Sequence, residues 1–260
     1  NINLTSAPGS FGKWNLIGNP YPSYISIIDF LNHEATPGIK NIQLLANAAG
    51  IYGYDGAASD GWDVITLANA GSRLMAPGQG FFVATDANTS LQFTPEMRTS
   101  GTSDDFIAGR NSTLTFLKLK ASTVSKSYTT DIYFNENASL GLDLGYDAQV
   151  WGGSTSNFIL YSHLVEDNTG LPIALQALGT NDFIDSSIPL GVKSNAGQQI
   201  RFSIEESTLP ATVEVYLEDT SANLVTLLNN SDYVFTPDNN LNGTGRFYLR
   251  LTDNILSSND

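Results

Sequence analysis

Strict alternation of apolar and polar residues in the second half of the chain is the feature that most constrains its fold. In residues 199–205 every second side chain is apolar, and the same period recurs in residues 128–135, 212–218 and 245–251. Because successive side chains of a strand point to opposite faces, a period of two predicts strands with one buried and one solvated face. One buried layer is therefore expected to contain Phe202, Val215, Leu217, Phe247 and Leu249.

Turn residues separate these strands at intervals of roughly 8–12 residues, a spacing typical of β-sandwiches and jelly rolls. The polar segment of residues 99–113 divides them from a first part in which short strands alternate with loops rich in Gly, Pro and Asn. We therefore predict an all-β protein of two β-sandwich domains, the second of them jelly-roll-like. The predicted domains are residues 1–105, with one short helix, and residues 106–260.

Two local departures from regular strands are also predicted. In residues 23–32 apolar residues recur at three-residue spacing after Ser23, a suitable N-cap, which predicts a helix of about two turns. In residues 114–119 the apolar residues Phe116 and Leu117 are adjacent and break the alternation, which predicts a β-bulge.

The composition favours an extracellular β protein and argues against nucleic-acid binding. The 260 residues include 26 acidic and 12 basic side chains, which gives a net charge of −14. Such a field repels phosphate backbones and anionic lipid, so neither is an expected partner. Only 15% of the residues are charged, and Ser, Thr, Asn and Gly take their place.

Cysteine is absent, which excludes disulfides, thiolate nucleophiles and zinc–thiolate sites. No run of residues approaches the roughly 20 apolar residues that a membrane-spanning helix needs. Residues 1–5 have neither the basic nor the apolar region of a signal peptide, so any such peptide is expected upstream.

Three phrases in the first part of the chain place a turn directly against an apolar strand. They are WNLIGNPYPSYI at residues 14–25, APGQGFFV at residues 76–83 and LQFTPEMR at residues 91–98. In the second phrase, Pro77 and Gly78 suit the central positions of a type II turn. None of the phrases presents a nucleophile, a base or a set of metal ligands.

These phrases, in this order, resemble the region near the C-terminus of large secreted and surface proteins of Bacteroidetes that the type IX secretion system exports. The resemblance continues through TDIYFNENA at residues 130–138, GYDA at 145–148, IPLGVK at 188–193 and VYLED at 215–219. It implies a β-rich module of a secreted or cell-surface protein, with the secretion machinery as a partner during export. Such proteins usually end in a compact sorting domain, which we do not expect within this chain.

Aromatic residues beside a loop of small residues are candidates for carbohydrate binding. Tyr52 and Tyr54 alternate with a glycine, Trp62 follows the loop, and Trp151 precedes a pair of glycines. An exposed ring can stack on the C–H face of a sugar, and such loops lie on the surface of a sandwich. The candidate carbohydrate-binding residues are Tyr52, Tyr54 and Trp62. The competing interpretation places Trp62 and Trp151 in edge packing, and Trp14 is expected to belong to the core.

Oxygen-bearing side chains in the region after residue 134 are candidates for a calcium site. The candidate ligands are Asn135, Glu136, Asp143 and Asp147, with glycines between them. Their spacing does not match an EF-hand loop, and calcium needs about six or more converging oxygens. The competing interpretation, which we favour, is a polar turn whose Asn and Asp side chains cap their own backbone. No other cofactor is expected.

Catalysis finds little support in the sequence. The two histidines, His33 and His163, are far apart, and no Gly-x-Ser-x-Gly motif accompanies them. Some acidic pair at the spacing of a glycoside hydrolase is expected by chance in so acidic a chain. The candidates are Asp131, Glu136, Glu214 and Glu218, of which Asp131 and Glu214 fall on the outward phase of their strands.

We therefore expect a non-catalytic β-sandwich region of a secreted or cell-surface bacterial protein that acts as a stalk or as an interaction or adhesion module. The first alternative is a carbohydrate-binding module attached to an enzyme or adhesin, and a glycoside hydrolase is the weaker alternative. The expected partners are an extracellular polysaccharide or another surface protein.

Overall fold

The computed structural model describes residues 1–9, 11–54, 62–101, 114–151, 157–182, 184 and 186–253. Within these ranges β-strands predominate, and helix is confined to α1 (Ile27–Asn32) and to 3-10 helices at Asn41–Leu44 and Pro95–Met97. The prediction of an all-β fold is confirmed.

The strands, numbered in chain order, are β1 (Ile2–Leu4), β2 (Trp14–Gly18), β3 (Tyr24–Ser26), β4 (Glu34–Thr36), β5 (Ile39–Lys40), β6 (Ile51–Gly53), β7 (Asp63–Ile65), β8 (Leu74–Met75), β9 (Gly80–Ala84), β10 (Thr89–Leu91), β11 (Arg98–Thr99), β12 (Thr115–Ser122), β13 (Ser127–Phe134), β14 (Ala148–Gln149), β15 (Ile159–Ser162), β16 (Ile173–Leu178), β17 (Ser187–Ser194), β18 (Ile200–Ser207), β19 (Val213–Asp219), β20 (Leu224–Leu227), β21 (Tyr233–Phe235) and β22 (Leu241–Asp253).

The chain divides into two compact units. The first unit comprises Asn1–Leu114 and Asp143–Gly153, and the second comprises Thr115–Leu142 and Ser154–Asp260. This division differs from the predicted domains chiefly in residues 143–153, which belong to the first unit.

Backbone hydrogen bonds hold residues 143–153 within the first unit. The N–H of Leu67 donates to the carbonyl oxygen of Gly145 at 2.8 Å, and the N–H of Gln149 donates to that of Ala48 at 3.0 Å. The Oγ1 of Thr66 also donates to a carbonyl oxygen of this segment, at 2.9 Å. Contacts of this kind link residues far apart in sequence, so local periodicity carries no signal for them.

Small sheets surround one core in the first unit. The largest is antiparallel, with the strand order β2-β9-β6-β7, and the others are β11-β3-β8, β1-β10 and β4-β5. Strands β2 and β9 pair from Trp14 opposite Ala84 to Gly18 opposite Gly80. The core between the sheets and α1 contains Phe30, Leu31, Ile51, Ile65, Met75 and Phe81, each almost fully buried.

The helix α1 begins later than predicted, and the choice of Ser23 as its N-cap is wrong. Ser26 is the N-cap, and its Oγ accepts a hydrogen bond from the N–H of Asp29 at 3.3 Å. The preceding residues form β3, which pairs with both β8 and β11. Because sheet pairing uses the backbone groups of this segment, the helix begins only after it.

The side chain of Asn19 joins the first two turn phrases. Its Nδ2 donates to the carbonyl oxygens of Ser23, Met75 and Ala76 at 2.8, 3.3 and 2.9 Å. Its Oδ1 accepts a hydrogen bond from the N–H of Tyr21 at 3.0 Å. Asn19 is buried, and this one amide satisfies carbonyl oxygens of both loops and so holds them against each other.

The turn at Pro77 and Gly78 has the backbone that its sequence predicts. Gly78 has a φ of 68°, which the third residue of a type II turn requires and which favours glycine. The N–H of Gln79 donates to the carbonyl oxygen of Ala76 at 3.2 Å and closes the turn. Strand β9 then begins at once and pairs with β2.

The second unit is built on one continuous sheet with the strand order β20-β19-β22-β17-β15-β16-β13-β12-β18-β21. Neighbouring strands are antiparallel, except that β13 and β16 run parallel. Phe202 on β18 contacts Phe247 on β22, with ring centroids 5.1 Å apart, although these strands lie far from each other in the sheet order. The sheet must therefore curve until its two ends pack face to face, as in a sandwich or a nearly closed barrel.

The buried layer predicted for the second unit is confirmed. Phe202, Val215, Leu217, Phe247 and Leu249 are at most 1% exposed and belong to one hydrophobic core. The predicted bulge is also confirmed, because the register of β12 against β18 shifts within residues 118–119.

Candidate functional site

The four-stranded sheet of the first unit carries apolar side chains on both faces. On β9, Phe81 and Val83 point into the core and are buried, so Phe82 points to the opposite face. Trp14 and Leu16 on β2 share that face, where Leu16 lies opposite Phe82 and is 65% exposed. A contiguous patch of exposed apolar side chains outside a core is a marker of an interaction site.

Four aromatic rings follow one another in contact against this face. In order they are Tyr54, Trp62, Trp151 and Phe11, which we call the aromatic row. The ring centroids of Tyr54 and Trp62 lie 5.5 Å apart, those of Trp62 and Trp151 4.6 Å, and those of Trp151 and Phe11 5.2 Å. The two end rings are half exposed, Tyr54 at 50% and Phe11 at 48%, whereas both tryptophans are partly buried.

The two central rings of the row cover one another. Trp62 and Trp151 are stacked with an interplanar angle of 27°, so each hides one face of the other. The end rings are tilted from their neighbours, Tyr54 by 52° and Phe11 by 46°. Open ring surface is therefore concentrated at the two ends of the row.

Aromatic side chains of the sheet pack against the tryptophans of the row. Phe82 meets Trp62 and Trp151 edge-on, with centroids 5.5 and 5.6 Å apart. Trp14 contacts Trp151 at 6.0 Å and Tyr52 at 4.8 Å. Edge-to-face contacts of this kind are favourable, so the sheet holds the tryptophans in one arrangement.

Tyr52 anchors the segment that carries Trp151. Its ring is fully buried, and its hydroxyl donates to the carbonyl oxygen of Gln149 at 2.7 Å. Gln149 lies in β14, two residues before Trp151. The hydrogen bond therefore fixes the backbone that places Trp151 on Trp62.

The predicted carbohydrate-binding residues have three different environments. Tyr54 is half exposed, Trp62 is partly buried within the row, and Tyr52 is fully buried. Because its ring is fully buried, the prediction that Tyr52 contacts a ligand directly is wrong, and its hydroxyl binds the carbonyl oxygen of Gln149. Trp14, expected in the core, packs partly against it and partly against the row. The loop of residues 55–61 lies outside the described residues.

Two pairs of opposite charges include residues that are neighbours of row or sheet tryptophans in the sequence. Lys13, which precedes Trp14, has its Nζ 3.9 Å from Oδ1 of Asp86 and 3.4 Å from Oε1 of Gln149. Asp63, which follows Trp62, lies 3.5 Å from the guanidinium of Arg73. Each of these charges has a partner of opposite sign.

The four candidate calcium ligands fall on two units. Asn135 and Glu136 belong to the second unit, whereas Asp143 and Asp147 belong to the first. The Oδ1 of Asn135 accepts a hydrogen bond from the N–H of Asn137 at 2.9 Å, and Oδ2 of Asp147 accepts one from the N–H of Asp143 at 2.7 Å. Both are local hydrogen bonds from the backbone to a side chain, which the polar-turn interpretation predicts. Among the described residues, no group of three or more His, Cys, Asp or Glu side chains could hold a metal ion. Calcium binding stays a hypothesis.

The two histidines each contact a different polar side chain. Nε2 of His33 lies 3.2 Å from Oε1 of Gln92, and Nδ1 of His163 lies 2.9 Å from Nδ2 of Asn168. Burial lowers the pKa of His163, which favours the neutral ring that accepts this hydrogen bond.

Three acidic residues that the sequence offered as glycosidase candidates lie on strands of the second unit, and each has an ionic or hydrogen-bond partner there. Asp131 lies 3.5 Å from Nζ of Lys118, and Glu218 lies 2.6 Å from the guanidinium of Arg250. Glu214 accepts a hydrogen bond from the hydroxyl of Tyr216 at 2.7 Å.

A buried ionic network in the second unit was not predicted. Asp219 is almost fully buried, and Arg246 binds its two carboxylate oxygens at 2.9 and 2.7 Å. The hydroxyl of Tyr233 donates to the same carboxylate at 2.8 Å. Burial by itself would raise the pKa of Asp219, but hydrogen bonds from Arg246, Tyr233 and the backbone outweigh it and hold the pKa below its ordinary value. The network links β19, β21 and β22 and is structural.

The described part of the chain contains no helix long and apolar enough to span a membrane. No curated protein and no solved structure is detectably similar to the chain. One family matches residues 4–251, nearly the whole chain, and its description is "Domain of unknown function (DUF8693)". The chain therefore belongs to this family, DUF8693.

Proposed function

We propose that the chain is a non-catalytic interaction or adhesion module of a secreted or cell-surface bacterial protein. The observation that carries this proposal is the aromatic row, which places half-exposed rings on a sheet whose other face is core. Together with Leu16, which is 65% exposed on the same face, these rings form a contiguous apolar patch, and contiguous exposed apolar patches are a marker of interaction sites.

The polar residues support a non-catalytic role. A glycoside hydrolase needs two carboxyl groups about 5–9.5 Å apart on either side of a bound sugar. Two of the four acidic candidates, Asp131 and Glu218, lie beside basic partners in the second unit, as paired charges on a protein surface commonly do. The acidic composition and the resemblance to exported Bacteroidetes proteins support the proposed extracellular location.

Carbohydrate binding is the second candidate, and the row favours it specifically. Aromatic rings and not aliphatic side chains make up the row, and rings attract the C–H face of a sugar through dispersion and their quadrupole. The second unit would then act as the stalk that carries the first.

An adhesion assay tests the proposed function. The purified chain is applied to surfaces coated with polysaccharides or with purified extracellular proteins, beside the double variant Phe11→Ser with Tyr54→Ser. Retention of the wild type on at least one surface and its loss in the double variant are expected. Leu224→Ala, which alters a residue of the second unit that is also 50% exposed, serves as the control.

Equal retention of wild type and double variant on every surface would contradict the interaction role of the row. Release of product from any polysaccharide, abolished by Asp131→Asn or Glu218→Gln, would contradict the non-catalytic role.

A further inference from the structure

We propose that His163 and Asn168 form an acid-sensitive latch on the loop between β15 and β16, closed while the imidazole is neutral and opened when Nδ1 of His163 takes up a proton. The loop comprises residues 163–172 and belongs to the second unit. The inference does not rest on the interaction role proposed for the first unit.

The hydrogen bonds of Asn168 define which nitrogen of His163 carries a proton. The N–H of Gly170 donates to Oδ1 of Asn168 at 2.7 Å. The other end of the amide, Nδ2, is a donor and lies 2.9 Å from Nδ1 of His163. Nδ1 must therefore be an acceptor, which places the single proton of the neutral imidazole on Nε2. These two hydrogen bonds are the latch.

Protonation of the ring is incompatible with this pair of hydrogen bonds. A cationic imidazole carries a proton on both nitrogens, so Nδ1 and Nδ2 would be two donors facing each other at 2.9 Å. A flip of the amide would turn Oδ1 toward the ring, but Nδ2 would then face the N–H of Gly170. In either orientation the closed loop loses a hydrogen bond.

Burial adds to the preference of the closed loop for the neutral ring. His163 is 9% exposed, and its ring lies against that of Tyr161, with the two centroids 5.4 Å apart. Its backbone N–H donates to the carbonyl oxygen of Pro189 on β17 at 2.9 Å. This burial lowers the pKa of His163, because a charged ring loses more hydration than a neutral one.

The charges around the loop do not offset this effect of burial. Strand β16 carries no titratable side chain. Those on the loop, on the segment bound to it and on the outward faces of β17 and β22 are Glu136, Glu166, Asp167, Lys193, Tyr248 and Arg250. Among the described residues, no salt bridge involves His163. No carboxylate is therefore placed to hold the ring in its charged form.

The backbone beside the latch favours opening once the hydrogen bonds are lost. Asp167 precedes Asn168 and has a φ of 50°, in the left-handed region that is unfavourable for residues other than glycine. The closed loop holds Asp167 in this conformation, and an open loop can leave it.

The direction of the pKa defines the pH range in which the latch acts. A histidine in an open or unfolded loop has an ordinary pKa near 6.5, and that of His163 in the closed loop is lower. The contribution of the latch is therefore complete above about pH 6.5 and is lost as the pH falls below that value.

NMR-detected amide hydrogen exchange between about pH 8 and pH 5 tests the inference. The protection factor of the Gly170 N–H, which corrects for the intrinsic pH dependence of exchange, should fall on acidification, whereas amides of β17 stay protected. His163→Gln should abolish the fall, because its Oε1 can accept from Asn168 and does not titrate. His33→Gln removes the other histidine and should leave the fall unchanged.

Asn168→Asp should reverse the behaviour of the latch. A carboxylate can accept from the N–H of Gly170 and also from a cationic ring, so the pKa of His163 should rise and Gly170 should stay protected at acid pH. The ¹⁵N chemical shifts of the His163 ring measure both its pKa and its tautomer. A merely structural contact between the two side chains would not produce this change of sign.

Three results would overturn the inference: a wild-type Gly170 whose protection does not fall in acid, a fall that persists in His163→Gln, or a ring protonated at Nδ1 in the neutral state. An unchanged or lower pKa of His163 in Asn168→Asp would do the same, and this variant decides the matter if His163→Gln does not fold.

Discussion

Buried asparagines hold the loops of the first unit in place. Asn19 donates to carbonyl oxygens of two different loops, at Ser23 and Ala76. Nδ2 of Asn41 donates to the carbonyl oxygens of Phe30 and Gln92, both at 2.8 Å. Asn69 donates to the carbonyl oxygen of Val64 at 2.9 Å. Short strands offer few ladder hydrogen bonds, and these amides satisfy backbone carbonyls that the sheets do not reach.

Asn19→Ala should lower the free energy of unfolding by roughly 2–4 kcal/mol, because carbonyl oxygens of two loops lose their donor. The exposed Asn3→Ala is the control and should stay within about 0.5 kcal/mol of wild type. Urea unfolding of both variants measures the difference. Equal midpoints would show that Asn19 is replaceable by water.

Trp62 and Tyr54 should differ in their effect on stability although they are neighbours in the row. Trp62→Ala removes contacts with three rings and should cost about 1–3 kcal/mol. Tyr54→Ala removes a half-exposed ring and should cost no more than about 0.5 kcal/mol. Thermal unfolding of the two variants checks this. A Trp62→Ala variant as stable as Tyr54→Ala would mean that the tryptophan stack does not form in solution.

At the scale of elements, alternation predicted β18, β19 and β22 of the second unit correctly, because each of these strands buries one face. The period of two therefore reports directly which residues meet the core, as Phe202 and Leu249 do. The same reasoning missed Tyr52, because β6 is buried on both faces. Its second face is covered by Trp14 and by residues 148–151, which come from elsewhere in the sequence. The start of α1 was missed for a similar reason, since the pairing of β3 is a long-range contact.

The face-to-face packing of β18 and β22 predicts coupling between two core residues. Phe202→Ala and Phe247→Ala should each cost about 3–5 kcal/mol, because both rings are fully buried. Their rings touch, so the double variant should lose less than the sum of the two by about 0.5 kcal/mol or more. Val234→Ala, at an exposed position of β21, is the control. Strict additivity in denaturant unfolding would contradict the curvature of the sheet.

At the scale of the whole molecule, stability should fall steeply in alkali. Burial raises the pKa of Tyr128 to about 12, and burial together with the hydrogen bond to Asp219 raises that of Tyr233 to about 12. An unfolded tyrosine ionises near pH 10, so the contribution of both residues is complete below pH 10 and is lost as the pH rises toward 12. Thermal unfolding between pH 9 and about 12 measures this loss. Tyr128→Phe should show a shallower decline, and an unchanged slope would contradict the assignment.

The return of residues 143–153 to the first unit has a consequence for the order in which the protein can be made. A chain growing from its N-terminus lacks Gln149 and Trp151 until after β12 and β13 have been synthesised. Until then the carbonyl oxygen of Gln149 cannot accept from the hydroxyl of Tyr52, and Trp151 cannot stack on Trp62. The first unit therefore matures only once part of the second has emerged, and the aromatic row is among its last features to form.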